Sequence, residues 1–180
     1  TCALPICEVP KQYRMLAGKP VIAWSVQALK AAGATEIVAV CAPEHADICR
    51  KATSSQAKIV DGGATRTDSV RAGLAALSGD AQAILVHDAA RPGLNAEMIR
   101  ALVGELENGA AAVAPALAVP DTLRRADAAG RITEDVARDG LMRIQTPQAF
   151  RADALRAAYD ALAANASMTD DIAVVRANGV

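Results

Sequence analysis

Aromatic residues are scarce in this sequence, where one tryptophan, two tyrosines and one phenylalanine make up 2% of 180 residues. Surfaces that stack single-stranded bases need several aromatic side chains, so such binding is not expected. The sequence also lacks an excess of either charge, because it has 19 lysines and arginines and 20 aspartates and glutamates. The balance offers no electrostatic attraction to nucleic acid or to an anionic membrane surface, and neither is expected as a partner.

Long apolar runs, an export signal and paired cysteines are lacking as well. The longest apolar runs, such as residues 110–119, fall well short of the ~20 residues that cross a bilayer. No charged region followed by an apolar core and a cleavage site opens the chain, so a cytoplasmic protein is expected. The four cysteines form no C-x-x-C pair, and Cys41 and Cys49 are interpreted as ordinary apolar residues.

What the sequence does contain is an alternation of short apolar runs with segments of helical period. Four strands are predicted, over residues 36–42, 58–60, 83–86 and 110–116. Helices are predicted from Pro20 to a stop at Gly33, over 43–52, around Val70 to Leu77, after an Asn95 cap, over 152–163, and after a Thr169 cap. Four strand–helix units indicate an α/β fold with a doubly wound, mostly parallel sheet.

Residues 120–146 break this rhythm. They contain extended segments on either side of a turn near Gly130, and no helical period. This stretch is predicted to form an arm or hairpin outside the main sheet.

The turn after the second predicted strand is the first candidate site. In Asp61–Ser69 the paired glycines Gly62 and Gly63 let backbone N–H groups approach an anion, Arg66 adds positive charge, and Ser69 lies near a helix N-terminus. An ordinary turn with a helix cap would have the same composition. The spacing alone leaves both interpretations open.

The second candidate site follows the strand at residues 83–86. Asp88 at a strand end could hold Mg²⁺ with one carboxylate oxygen, and Arg91 could contact phosphate through two N–H groups. An Asp–Arg pair that merely closes a loop is the alternative. His87 could act as a base, but its position at the end of an apolar strand favours a structural role.

Several single residues add weaker signals. Lys11, held behind Pro10, could place a point charge on a phosphate. Arg138 and Thr146 offer a further cation and a hydroxyl.

Taken in order, these segments closely resemble the 2-C-methyl-D-erythritol 4-phosphate cytidylyltransferase family over about residues 8 to 180. The resemblance rests on six motifs and a seventh near the end: Pro10-Lys11-Gln12-Tyr13, Gly62-Gly63-x-x-Arg66-x-x-Ser69, Val86 to Pro92, Asp121-Thr122, Arg138 to Leu141, Gln145-Thr146-Pro147-Gln148 and Thr169-Asp170-Asp171. It implies a Rossmann-like nucleotidyltransferase domain with a β-arm that embraces a second subunit, and hence a homodimer. It also implies that a cytidylyl group is transferred from CTP to methylerythritol phosphate, with release of pyrophosphate, in non-mevalonate isoprenoid biosynthesis.

The resemblance assigns roles to individual positions. Lys11, Asp88 and Arg138 would be catalytic, and Asp88 would also hold Mg²⁺. The nucleotide would be bound by Gly62, Gly63, Arg66, Ser69 and Asp88. The sugar-alcohol phosphate would be bound by Arg91, Thr122, Arg138, Thr146 and Thr169, with Thr122 and Arg138 reaching the neighbouring subunit's site.

Other interpretations of the same residues stay open. The family pattern extends past both ends of the chain, so residues 1–180 are expected to be one incomplete nucleotidyltransferase domain with its arm near 120–146. A cytidylyltransferase acting on ribitol 5-phosphate would share much of the motif set. A catalytically weak domain that binds nucleotide or sugar phosphate is the alternative outside the enzyme class.

Overall fold

The helices form where the sequence has apolar residues at helical spacing. The computed structural model describes residues 9–163, 166 and 168–179. Within these residues the α-helices are α1 (Val21–Ala31), α2 (Ala46–Ala52), α3 (Arg66–Ala76), α4 (Ala96–Glu107), α5 (Ala152–Ala161) and α6 (Asp171–Ala177). Single 3-10 turns, Lys11–Tyr13 and Pro43–His45, precede α1 and α2.

The strands are short and lie between the helices along the chain. In chain order they are β1 (Met15–Leu16), β2 (Lys19–Pro20), β3 (Val38–Cys41), β4 (Lys58–Asp61), β5 (Ala83–Val86), β6 (Ala112–Val113), β7 (Ala116–Ala118), β8 (Leu123–Ala126), β9 (Ile132–Val136), β10 (Met142–Ile144) and β11 (Gln148–Arg151). The predicted strand at 83–86 coincides with β5. The predicted strand at 110–116 is divided between β6 and β7, which belong to different sheets.

Two groups of strands form the sheet structure beneath the helices. β3 and β4 are parallel, with Val38 opposite Lys58. β11 lies between β5 and β6 and is antiparallel to both, with Phe150 opposite Ile84. The α/β class is therefore confirmed, and β11 adds an antiparallel strand that the sequence pattern did not predict.

Side-chain caps fix where two of the predicted helices begin. The Asn95 carboxamide oxygen accepts a hydrogen bond from the Met98 N–H at 2.8 Å, as predicted for α4. At α6 the prediction of a Thr169 cap was wrong, because Asp170 accepts from the Ala173 N–H at 2.8 Å. Asp170 immediately precedes the first helical residue, which is the position from which a short oxygen-bearing side chain reaches the third N–H.

The apolar core is organised around the two groups of strands. On one face of β5 and β11, a cluster includes Leu74, Phe150, Leu155 and Val174. On the other face, α4 contributes Leu102 and Leu106 to a smaller cluster. A third cluster joins α1 and α2 to β3, with the buried residues Tyr13, Ile22, Val26, Ala39, Cys41, Cys49 and Ala52. Cys41 and Cys49 are free and buried, as predicted.

A cavity of about 750 Å³ separates these two groups of strands. Its walls include Val38–Val40 of β3 and Ala83–Val86 of β5, together with residues of α1 and α3. Among the described residues, β3 pairs only with β4, and β5 pairs only with β11. Gln12, Ser69 and Asp88, which come from three of the sequence motifs, also line the cavity.

The predicted arm is present as two antiparallel pairs of strands. β8 pairs with β9, and β7 pairs with β10. The arm therefore begins near Ala116, a few residues earlier than predicted. Its large apolar side chains face solvent in the isolated chain, and they are Leu117, Ile132, Leu141, Met142 and Ile144.

Across the residues that the structure covers, every helix is too short or too polar to cross a bilayer.

Candidate functional site

Two of the sequence motifs meet in a cleft at the carboxyl ends of β3 and β4. This cleft of about 340 Å³ is lined by Gln12, residues 40–43, His45, Gly62, Gly63 and Ser69. Ligands of open α/β sheets bind outside the carboxyl ends of strands, so the cleft lies where a ligand is expected. Lys11, next to Gln12, is exposed on the 3-10 turn beside it.

The glycine turn closes tightly on the start of α3. The Gly63 N–H donates to the Ser69 hydroxyl at 3.2 Å, and that hydroxyl donates to the Thr65 carbonyl at 2.9 Å. A Cβ at Gly63 would lie 2.3 Å from the Cβ of Asp68. Only glycine fits at this position, because any side chain would clash with the first turn of the helix.

A capping box holds the same turn from the helix side. The Asp68 N–H donates to the Thr65 hydroxyl at 3.0 Å, and the Thr65 N–H donates to the Asp68 carboxylate at 3.2 Å. These reciprocal bonds satisfy N–H groups that have no partner within the helix. The helix-cap interpretation of the motif is therefore confirmed, and the same turn forms one wall of the cleft. The Gly62 and Gly63 N–H groups donate to Cys41 and Ser69, and binding of an anion by this turn stays a prediction.

Arg66 makes contacts that the sequence did not predict. Its guanidinium forms two hydrogen bonds to Asp171, at 3.1 and 2.5 Å. Asp171 is fully buried, whereas the Arg66 side chain is 35% exposed. The hydrogen bonds to Asp171 raise the pKa of Arg66, and the nearby Asp88 carboxylate acts in the same direction. Both terminal nitrogens of Arg66 thus contact the protein itself.

The second motif converges with the segment that precedes β11. The Arg91 guanidinium contacts the Asp88 carboxylate at 2.8 Å and the Gln145 side-chain oxygen at 2.5 Å. The Asp88 N–H donates to the Thr146 hydroxyl at 3.2 Å. Three predicted site residues, Asp88, Arg91 and Thr146, are brought together although Thr146 lies 58 residues away in sequence. The Asp–Arg pair expected as the structural alternative exists, yet Asp88 remains 43% and Arg91 47% exposed.

His87 connects this cluster to α1. Its Nε2 lies 3.1 Å from the Arg91 carbonyl, and its Nδ1 lies 3.1 Å from the Thr146 hydroxyl. Because a carbonyl only accepts, we place a proton on Nε2 and let the Thr146 hydroxyl donate to Nδ1. Ser25 of α1 also contacts Nε2, at 3.2 Å. The network agrees with the structural role that the sequence favoured for His87.

We expect this network to make folding stability depend on pH. Burial lowers the pKa of His87, outweighing the Arg91 carbonyl and the Asp88 carboxylate, which raise it. In the unfolded chain the imidazole titrates near its ordinary pKa of about 6.5, so protons bind there first. The contribution of His87 to stability is therefore complete above about pH 6.5 and is lost as the pH falls below it.

The measurement is urea unfolding of metal-free protein between about pH 5 and 7.5, above the range where carboxylates ordinarily titrate. The decline in the free energy of unfolding towards low pH should be shallower for His87→Gln than for the unsubstituted protein. Equal slopes would contradict the assignment of a neutral, buried His87.

Thr122, Arg138 and Thr169 belong to other segments of the fold. Thr122 and Arg138 are exposed on the arm, where the Arg138 guanidinium donates to the Pro120 carbonyl. Thr169 is exposed just ahead of α6. In the part of the chain described, neither arm residue is hydrogen-bonded to Asp88, Arg91 or Thr146.

Four residues that support the site had no role predicted from the sequence: Ser25, Gln145, Tyr159 and Asp171. Gln145 and Asp171 stand inside recognised motifs, but their contacts join segments that are distant in sequence. Ser25 had a readable signal, since it is the polar member of the apolar face formed by Ile22, Val26 and Leu29. A buried hydroxyl on such a face needs a polar partner.

The Asp88 carboxylate suits a divalent cation whose other ligands are phosphate oxygens and water. Among the described residues, no three histidine, cysteine or acidic side chains converge to hold a metal ion. Mg²⁺ is commonly bound by one or two carboxylates together with phosphate oxygens and water. Asp88 fits that pattern, because its side chain is half exposed. Its Oδ2 oxygen contacts Arg91, and among the described residues its Oδ1 oxygen has no ion pair.

Comparison with known proteins supports the family resemblance that the motifs indicated. The family model for 2-C-methyl-D-erythritol 4-phosphate cytidylyltransferase (IspD) matches residues 6–180. A bifunctional enzyme IspD/IspF of Caulobacter vibrioides is 47% identical over 173 residues, covering 94% of this chain and 44% of that protein. A 2-C-methyl-D-erythritol 4-phosphate cytidylyltransferase of Nocardia farcinica is 44% identical and covers 94% and 74%. The chain spans less than half the length of the first of these relatives.

Solved structures give the same result. The 2-C-methyl-D-erythritol 4-phosphate cytidylyltransferase of Thermus thermophilus superposes with a TM-score of 0.81 at 29% identity, covering 94% of this chain and 80% of that one. A 4-diphosphocytidyl-2C-methyl-D-erythritol synthase superposes with a TM-score of 0.79 at 35% identity, covering 94% and 81%. By sequence and by fold, the chain belongs to the 2-C-methyl-D-erythritol 4-phosphate cytidylyltransferase family.

Proposed function

We propose that this protein transfers a cytidylyl group from CTP to 2-C-methyl-D-erythritol 4-phosphate, giving 4-diphosphocytidyl-2-C-methyl-D-erythritol and pyrophosphate. The observation that carries the proposal is the convergence of Arg91 and Thr146 on Asp88, which lines the same cavity as Gln12 and Ser69. Phosphate-bearing substrates require cations such as Arg91 and Lys11 near a site of this kind. Family membership supplies the identity of the two substrates.

The reaction is a displacement at the α-phosphorus of CTP. An oxygen of the acceptor phosphate forms a bond to that phosphorus, and the bond to the bridging oxygen of the β-phosphate breaks. Pyrophosphate leaves with the electron pair of the broken bond. Because both reactants are anions, positioning and neutralisation of charge supply most of the catalysis.

The residues of the chain divide this work between the two substrates. Lys11 faces the nucleotide phosphates and offsets charge that develops in the transition state. The glycine turn and Ser69 form the wall of the subsite that binds the cytidine part. Arg66 belongs to the same subsite, but its bonds to Asp171 make it a support of the turn rather than a direct phosphate ligand.

Asp88 would hold Mg²⁺, which neutralises phosphate charge when bound. Arg91 and Thr146 contact the acceptor phosphate, and Thr169 completes that pocket. The Arg91 guanidinium is oriented by both Asp88 and Gln145, which fixes the direction in which its remaining N–H groups point.

Thr122 and Arg138 act from the arm on the site of a second subunit. The exposed Leu117, Leu141, Met142 and Ile144 support this part of the proposal. Exposed large apolar side chains of this kind are common where another protein chain binds. A homodimer joined through the arm would cover these side chains and bring Arg138 towards the partner's Asp88.

The direct test is pyrophosphate release from CTP and Mg²⁺ with methylerythritol phosphate, with ribitol 5-phosphate tested in parallel. We expect release to require both CTP and an acceptor, and to be faster with methylerythritol phosphate. Faster release with ribitol 5-phosphate would change the acceptor assigned. CTP binding by calorimetry without any turnover would instead identify a binding domain.

A further inference from the structure

The buried carboxylate of Asp171 takes no part in the proposed reaction. Its side chain has no exposed surface and accepts three hydrogen bonds: two from Arg66, and one from the Tyr159 hydroxyl at 2.5 Å. Burial, and then this bond, raises the pKa of Tyr159, so the phenol remains a donor. A buried ion pair is a weak source of stability, since apolar residues of similar volume often serve as well. The Arg66–Asp171 pair is better explained by its effect on the position of the segment that carries Arg66.

The segment that this ion pair holds in place is the start of α3. Arg66 is the first residue of that helix and directly follows the Thr65 cap. By pairing with Asp171 it ties the glycine turn, one wall of the nucleotide cleft, to the N-terminus of α6. Thr67 makes a second link between the same two regions, because its buried hydroxyl accepts from the Met168 N–H at 3.4 Å.

The same end of α6 is tied to the acceptor side of the site. The Gln148 side-chain oxygen accepts from the N–H groups of Asp171 and Ile172, at 2.9 and 3.1 Å. Its amide nitrogen donates to Asp170 at 3.2 Å. Gln148 lies two residues after Thr146, whose hydroxyl contacts Asp88 and His87. An unbroken set of contacts therefore runs from the glycine turn through Asp171 to Thr146.

We propose that Asp171 is a positioning residue that fixes the glycine turn relative to Thr146, and thereby aligns bound CTP with the acceptor phosphate. This inference rests on the proposed function and goes beyond it. The Asp171 carboxylate acts through Arg66, and the Asp171 backbone N–H, bonded to Gln148, links that pair to the segment that carries Thr146. In-line displacement is sensitive to alignment, and loss of a supporting contact commonly costs roughly 10-fold to 100-fold in activity.

The test is Asp171→Asn, which preserves the shape of the side chain and removes its charge. We expect kcat/KM for CTP to fall by roughly 10-fold to 100-fold. We also expect faster hydrogen exchange at the amides of residues 62–69. Tyr159→Phe removes one bond to Asp171 without leaving an unpaired charge, so it provides a milder change in the same direction if Asp171→Asn folds poorly.

Two controls separate positioning from general destabilisation. Asp153→Asn removes an exposed aspartate in the first turn of α5 that pairs with Arg151 at the same 2.5 Å, and it should leave kcat/KM unchanged. Leu106→Ala lowers stability from the distant α4, and it should leave hydrogen exchange at residues 62–69 unchanged below its melting range.

The outcomes distinguish this inference from the proposed reaction. If the unsubstituted protein binds CTP but releases no pyrophosphate, the proposed reaction fails, while exchange at residues 62–69 still tests Asp171. If Asp171→Asn and Tyr159→Phe match Asp153→Asn in both exchange and CTP affinity, Asp171 has no positioning role, whatever the protein's turnover.

Discussion

Replacement of Asp88 by asparagine is expected to lower turnover by roughly 10²-fold to 10³-fold, the loss that follows removal of one strong electrostatic contact to a transition state. Asparagine keeps the size of the side chain and an oxygen that can accept from Arg91. The change therefore removes the charge that would hold Mg²⁺ and leaves the local packing intact. The measurement is kcat for pyrophosphate release at saturating CTP and methylerythritol phosphate.

The matched control is Asp80→Asn, which changes an exposed aspartate ahead of β5. It should retain full turnover. Circular dichroism should show that Asp88→Asn is folded, because Asp88 is half exposed and the bond to Thr146 comes from its backbone. Turnover near that of the unsubstituted protein would remove Asp88 from the reaction and leave it as the partner of Arg91.

Lys11→Ala and Arg138→Ala are each expected to lower turnover by roughly 10²-fold or more, since each removes a cation from a site that binds two anions. Their mixture should be more active than either variant alone. If Arg138 acts in the partner's site, a mixed dimer contains one complete site and one that lacks both cations. Random exchange makes about half of the dimers mixed, so about a quarter of the original activity should return.

The subunits carry tags of different mass, so native mass spectrometry can measure the fraction of mixed dimers. Mixing Lys11→Ala with Asp88→Ala is the control, because both residues are assigned to the same subunit's site and no complete site can form. Mixed dimers without recovered activity would place Arg138 in its own subunit's site. A protein that stays monomeric at assay concentrations would contradict the role proposed for the arm.

The sequence predicted those structural elements that depend mainly on residues close together in the chain. The apolar run at 83–86 became β5, Asn95 capped α4, and the irregular stretch near 120–146 became the arm. The first two depend on residues within a few positions of one another, and the arm pairs strands that lie within that one stretch of sequence. The error at Thr169 has the same origin, because two adjacent residues could both cap α6 and only the geometry of the turn chooses between them.

Long-range pairing accounts for what the sequence could not predict. β11 has four residues, begins with Gln148 and follows a proline, so nothing in its own pattern indicates a buried strand. Its place is set by β5 and β6 on either side. The Arg66–Asp171 pair joins residues 105 positions apart, and an arginine beside two glycines gives no local sign of a buried partner. The motif order located the candidate site, whereas these contacts decide what each residue does there.

Helix α3 also joins the two sides of the cavity. The apolar clusters around β3 and around β5 and β11 lie on opposite sides of that cavity. α3 contacts both, because Leu74 belongs to the cluster at β5 and β11 while Gly73 lies against Val40 of β3. The cooperativity of unfolding therefore depends on a helix surface where the missing side chain of one glycine allows close approach.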